Sequence, residues 1–236
     1  FERAAPGVFA ERVHLPHAEY NAMRLPEGVA ARDVAALGCR FMTAYHALEH
    51  RAVVGAGDWV AVHGCGGVGL SAVQVADALG ARVIAVDVDD GALSRAEAAG
   101  ADETVRGDEG DVPDAIESIT GRGAHVSLDA LGRAETCRNS VACLRERGTH
   151  VQVGLTTDAE KGEVSLPTDA MSRWEVDFLG SRGMPPTRYD ELLGLLEAGD
   201  LDPSVLVGRE VRLDEVPDRL AAMTDYETEG VEVLTF

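Results

Sequence analysis

From Trp59 onward, short apolar runs alternate with longer stretches in which apolar positions recur at helical spacing. Trp59–His63 reads as a buried strand, and Val68–Leu79 as a helix with Val68, Ala72, Val73, Val75, Ala76 and Leu79 available to bury. Arg82–Val86 is the next strand. A helix near Ala92–Ala99, a short strand Glu103–Val105, a helix Asp114–Ile119 and a strand Ala124–Asp129 follow. A helix is expected over Ala134–Leu144, with strands at Thr149–Val153 and Val176–Gly180 and a polar loop over Thr156–Pro167. Met184-Pro185-Pro186 marks a break. After it come an amphipathic helix Arg188–Ala198, a strand Glu210–Leu213, a helix Val216–Met223 and a closing strand Val231–Phe236. Strands alternating with helices imply an α/β fold whose parallel sheet is covered on both faces. The first forty residues differ: short β-like runs are broken by Pro and Gly, in a stretch too small to make its own core.

The link between the first strand and the first helix carries the clearest chemistry. Gly64, Gly66 and Gly69 spell G-x-G-x-x-G between Trp59–His63 and Val68–Leu79, and Asp87 closes the second strand. That is the context in which the motif binds a dinucleotide in a Rossmann-type, doubly wound sheet. Gly64 permits the tight turn, Gly66 lets the backbone approach a pyrophosphate, and Gly69 allows the helix to pack close on the strand. The helix N-terminus offers free N–H groups and a positive dipole end to the phosphates. Asp87 can accept hydrogen bonds from ribose hydroxyls and repels a 2′-phosphate, so NAD is expected over NADP. Ligands of such sheets lie beyond the carboxyl ends of the strands, where Asp87, Asp129–Gly132 and Val153–Leu155 fall.

Charge sets the surroundings. There are 41 acidic residues against 21 basic ones, a net charge of −20, and Lys161 is the only lysine. Such a surface suits high salt, where screening shortens the range of self-repulsion. An ordinary acidic protein of a GC-rich genome, which favours Arg over Lys, would share the pattern. Nucleic acid is not an expected partner, because phosphate backbones need clustered positive charge. No apolar run has the length of a membrane span, and no signal peptide is visible. Cys39, Cys65, Cys137 and Cys143 form neither a C-x-x-C pair nor a disulfide framework, which fits a reducing cytoplasm.

Taken together the segments resemble one family over the whole chain. FAERVHLPHAEYNAMRLPEGV, ALGCRFMTAYHAL, VHGCGGVGLSAVQVADALGARVIAVD, SLDALG, VQVGL, FLGSRG and the closing VEVLTF occur in the order found in medium-chain, zinc-dependent alcohol dehydrogenases. The resemblance implies residues 1–38 as the end of a GroES-like catalytic domain, 39–183 as the NAD-binding domain, and 184–236 as a segment returning to the catalytic domain. It implies that Cys39 is a catalytic zinc ligand and that Thr43 lies beside the nicotinamide. Gly64, Gly66, Gly67, Val68 and Gly69 would cradle the pyrophosphate, and Asp87 would hold the adenosine ribose. Leu131, Gly132 and Arg133 would flank the cofactor, Val153, Gly154 and Leu155 would lie near the nicotinamide amide, and Leu179 would add a contact. The basic residue that the family often carries a few positions after the ribose acid has no counterpart near Ala92.

The implied activity is zinc-assisted hydride transfer from a small alcohol to NAD+, giving an aldehyde or ketone, in a homodimer or homotetramer joined near Val176–Gly180. The chain starts at Phe1, and the family's other zinc ligands and proton relay are expected upstream of it. The segment alone is therefore expected to lack the catalytic metal and turnover. Other readings are a zinc-free quinone oxidoreductase-type reductase, a bare NAD-binding module, and a zinc protease built on His46-x-x-Glu49-His50. For Cys39 the alternative is a buried small hydrophobe.

Overall fold

The computed structural model describes residues 8–224 and 230–236. Residues 1–7, which begin the first expected domain segment, lie outside the described residues. The chain forms two compact units, one of residues 39–184 and the other of the flanking segments up to Gly38 and from Pro185 on.

In the flanking unit the expected β-like runs of the first forty residues are not strands. The regular element of the described part is one short helix, α1 (Ala18–Asn21), followed by turns that lead into a π-helical run at Leu37–Phe41. A strand needs a neighbour for its N–H and C=O groups, and none pairs with this stretch among the described residues.

The central unit starts on helix α2 (Met42–Tyr45), which continues as a second π-type run, His46–Ala52. Strands and helices then alternate. They are β1 (Trp59–His63), α3 (Gly67–Ala78), β2 (Arg82–Asp87), α4 (Asp90–Ala98), β3 (Glu103–Arg106), α5 (Val112–Thr120), β4 (Ala124–Asp129), α6 (Ala134–Ala142), β5 (Leu144–Gln152), α7 (Thr168–Trp174) and β6 (Asp177–Gly180). Every strand pair is parallel and the order is β3-β2-β1-β4-β5-β6, the doubly wound Rossmann arrangement. The reversal of strand order falls between β1 and β4, which opens a crevice at their carboxyl ends.

Local chemistry explains the boundaries. Asp89 caps α4 by accepting from the Ala92 N–H at 2.7 Å, and Asp111 caps α5 by accepting from Asp114 N–H at 3.0 Å. Gly121, at φ +81°, ends α5 in the left-handed region. All five residues of β1 are buried, as a strand covered on both faces requires. One face carries a core of Trp59, Ala61, Ile84, Val86, Val105 and Ile116. On α3 every residue from Gly69 to Ala76 is buried, because the helix lies between the sheet and α2.

One strand differs from expectation. The periodicity predicts helix through Leu144 and strand only from Thr149, but β5 already starts at Leu144. Ala124 faces Leu144 and Val126 faces Thr149, so Arg145–Gly148 bulges out of the ladder. Charged residues on that bulge hide the strand from a periodicity reading.

In the flanking unit, after the break at Pro185, come α8 (Tyr189–Ala198), β7 (Val207–Val211), α9 (Val216–Thr224) and β8 (Val231–Leu234). The strand expected at Glu210–Leu213 lies earlier, and Leu213 opens a short 3-10 turn that leads into α9. β7 and β8 form a parallel pair. An Arg219–Glu232 pair at 2.9 Å and the Tyr189 hydroxyl donating to Gly38 O at 3.2 Å tie this unit together.

Candidate cofactor site

The three motif glycines hold three different geometries. Gly64 sits at φ +92°, where a side chain is strained, and a Cβ there would stand 2.6 Å from the Leu131 side chain. Gly69 carries α3 against the turn: an added Cβ would fall 1.7 Å from Gly64 O. Gly66 is the N-cap of α3 at φ −78°, and a Cβ there would meet nothing within 4 Å. Two of the glycines are thus demanded by the protein's own packing. The third faces open space at a helix N-terminus whose first N–H groups have no partner within the helix.

Asp87 does more than expected of it. Its Oδ2 accepts from Cys65 N–H at 2.7 Å, and its Oδ1 accepts from Val88 N–H at 2.7 Å and Asp89 N–H at 3.0 Å. A carboxylate has roughly four acceptor positions. One fixes the glycine turn to the end of β2 and two hold the start of the loop after it, which leaves about one for a ligand.

A cleft of about 170 Å³ opens beside this turn. Its walls include Gly64, Asp87, Leu131 and Arg133, four of the residues expected at the cofactor, with His63, Val88 and Asn139 added. Thr43, Gly66, Gly67, Val68, Gly69, Val153, Gly154, Leu155 and Leu179 are not among its walls. Thr43 is buried on α2, Leu179 pairs with Val151, and Leu155 is 84% exposed. The loops after β4 and β5 nevertheless pack backbone to backbone: a Cβ on Gly132 would lie 2.0 Å from Leu155 O.

A buried polar chain sets these two loops. His150 receives the hydroxyls of Ser140 at 3.0 Å and Ser127 at 3.3 Å, and its Nε2 meets Gln152 Oε1 at 3.1 Å. The Gln152 amide donates to Asp129 Oδ2 at 2.9 Å and to Gly154 O at 2.8 Å. Asp129 Oδ1 in turn accepts from the N–H groups of Leu131 and Gly132. Burial lowers the pKa of His150, and burial above all pulls His63 down to about 3, which keeps the His63 imidazole neutral.

Two residues near the turn carry no signal in the sequence pattern. Arg40 crosses the start of α3, where a Cβ on Gly67 would fall 2.1 Å from its Nε. His63 reads in the sequence only as the last residue of a strand, yet it lines the cleft. Neither position belongs to the glycine motif, so only the fold could show them there.

Cys39 is exposed, which overturns the reading of it as a packed hydrophobe. Burial raises the thiols of Cys65 and Cys143 to about 12 and that of Cys137 to about 11, as inert core cysteines require. No group of three potential metal ligands occurs among the described residues. Those residues therefore do not fit a catalytic zinc by themselves, since such a site takes three protein ligands. His46 and His50 do share a helical face, with their Nδ1 atoms 3.0 Å apart, but no third ligand joins them among the described residues. No described helix is long and apolar enough to cross a membrane.

A glycine turn closing on a helix N-terminus at the switch point of a parallel sheet, with an acid ending the next strand, defines a dinucleotide-binding fold. The chain belongs to the zinc-binding dehydrogenase family, whose model matches residues 67–198, and within it to the medium-chain alcohol dehydrogenases. It is 30% identical over 230 residues to an NAD-dependent alcohol dehydrogenase of Sulfurisphaera tokodaii, covering 97% of this chain and 64% of that one. With an alcohol dehydrogenase of Geobacillus stearothermophilus the identity is 35% over 218 residues, covering 91% and 61%. Among solved structures, the alcohol dehydrogenase TADH from Thermus sp. ATN1 superposes with a TM-score of 0.89 at 26% identity, over 98% of this chain and 66% of that one. A crystal structure of an NAD-dependent alcohol dehydrogenase gives 0.86 at 30% identity, covering 98% and 65%. The chain thus spans just under two thirds of the relatives' length.

Proposed function

We propose that this chain is the NAD-binding part of an alcohol dehydrogenase that oxidises a small alcohol to an aldehyde or ketone. The observation that carries the reading is Gly66: a glycine whose missing side chain is required by no protein neighbour, at the mouth of a helix N-terminus. The bound nicotinamide would supply the hydride acceptor. Gly66 and the first N–H groups of α3 would hold the pyrophosphate, Asp87 would take a ribose hydroxyl on its remaining acceptor position, and Leu131 and Arg133 would wall the adenosine.

Arg40 supports the same reading. A guanidinium beside a helix N-terminus has the wrong sign for the helix dipole, and a bound pyrophosphate would reverse that cost. The backbone contact between Gly132 and Leu155 would keep the loops after β4 and β5 in place against the nicotinamide end. Cys39 would serve as one zinc ligand in a protein that carries others. β6 ends the strand order and pairs with no further strand among the described residues, so its outer edge would be where a second copy adds a strand, as a dimer or tetramer would need.

Titration with NADH and NADPH, read by nicotinamide fluorescence, tests the proposal. Saturable NADH binding that Arg40→Gln weakens about tenfold supports it. No affinity for either dinucleotide refutes it. Elemental analysis of the purified chain tests the metal reading: stoichiometric zinc would contradict a site left incomplete by Cys39 alone.

A further inference from the structure

At the opposite end of the sheet, where β4, β5 and β6 begin, lies a cavity of about 670 Å³. Three segments build it. The turn Gly121–Arg122 enters β4, the bulge Arg145–Arg147 opens β5, and Arg173–Glu175 closes α7 ahead of β6. Four arginines and three glutamates therefore line one cavity in a chain of net charge −20. Arg147 is held at 2.7 Å by Glu175. Arg122, Arg145 and Arg173 have no ion-pair partner among the described residues, although acids outnumber bases about two to one and Glu117 and Glu146 share the walls.

Arg145 is drawn partly into the protein, as its Nε shows. That atom is buried and has no hydrogen-bond partner, one of two such side-chain atoms among the described residues. An atom enclosed while the cavity is empty is not itself reached from it, so an anion there meets the outer guanidinium nitrogens of Arg145. The bulge that places it there is an insertion into the ladder, with Arg147 at φ +60°. A backbone bent to bring cations together, against their mutual repulsion, is stabilised when an anion sits among them. The uncompensated charge of Arg145 also reaches His125, where it adds to burial in lowering the imidazole pKa.

We propose that this cavity is a second binding site, distinct from the cofactor cleft, for a small oxyanion. The shared chemistry is a phosphate or carboxylate group meeting the outer nitrogens of the Arg145 guanidinium, with Arg122 and Arg173 completing its neutralisation. Trp174, 40% exposed, forms one wall and would report occupancy.

The test follows tryptophan fluorescence of the full chain while inorganic phosphate or succinate replaces chloride at constant ionic strength. A saturable change at millimolar concentration, absent in Trp174→Phe and weakened at least tenfold by Arg145→Gln, is expected. Phosphate binding without succinate binding assigns the site to phosphates, and the converse assigns it to carboxylates. Should Arg145→Gln fail to fold, Arg122→Gln, on an exposed side chain, takes its place and should weaken binding at least threefold. No saturable change, or equal affinity in the folded variants, overturns the proposal. NADH titration of the same variants keeps the two sites apart, since a failure here leaves binding at the far end of the sheet intact.

Discussion

Two glycine substitutions three residues apart should separate folding from cofactor binding. In Gly69→Ala the new methyl would start 1.7 Å from Gly64 O. A carbon tolerates a carbonyl oxygen at about 3.3 Å, so α3 must retreat from the turn by roughly 1.6 Å. Overpacking of that kind costs about 1–3 kcal/mol of stability. The displacement also moves the helix N-terminus off the phosphates. Loss of one charge-assisted hydrogen bond, about 1.5–3 kcal/mol, weakens NADH binding about 10- to 150-fold. Gly66→Ala meets no protein atom within 4 Å and keeps an allowed φ of −78°. Its poorer capping and its lower unfolded-state entropy nearly cancel, within about 0.5 kcal/mol. Its methyl nevertheless enters the space assigned to the pyrophosphate, so NADH affinity should fall at least about tenfold. Urea unfolding with parallel NADH titration reads both quantities. A Gly66→Ala protein that binds NADH like the parent would refute the assignment of that space. A Gly69→Ala protein of unchanged stability would refute the packing argument.

Asp87→Asn should relax the preference for NADH over NADPH by at least about tenfold, since like-charge repulsion of a 2′-phosphate disappears. The same change should cost about 1–3 kcal/mol, because the acid also accepts from Cys65, Val88 and Asp89; thermal unfolding and paired titrations would show both. Acid should destabilise the fold through His63. Its pKa falls from 6.5 to about 3 on burial, so the unfolded chain binds more protons across that interval. The stability it contributes is complete above pH 6.5 and is lost as pH falls toward about 3. Urea midpoints measured from pH 7 to pH 4 should therefore decline, and a flat profile would contradict a neutral buried imidazole. The net charge of −20 should make the unfolding temperature rise with KCl between 0.1 and 2 M, about the range over which the Debye length shrinks from 10 Å to a few ångströms. A temperature independent of salt would remove the high-salt reading of the composition.

The sheet is legible in the sequence because its signals are local. β1 reads as a short apolar run, and the glycines sit at the spacing their geometry demands. β5 is legible only from Thr149, because its first residues are charged and bulged. The opening forty residues mislead in the other direction: β-like composition does not make strands without partners, and pairing is not written in one segment. At the site, the glycines and Asp87 can be read from the motif. Arg40 and His63 cannot, because each reaches the turn from an element that carries no phosphate motif. The His150–Gln152–Asp129 chain is equally hidden, since its members come from two neighbouring strands and connect only through register.

The triple engagement of Asp87 has a consequence for anyone redesigning this protein's cofactor choice. The side chain that would select the coenzyme also stitches the loop beneath it, so selectivity and foldability share one anchor. A swap to a neutral or basic residue removes the stitch along with the repulsion. Redesign should begin by supplying substitute acceptors for the three freed amides, and alter the ribose contact only afterwards.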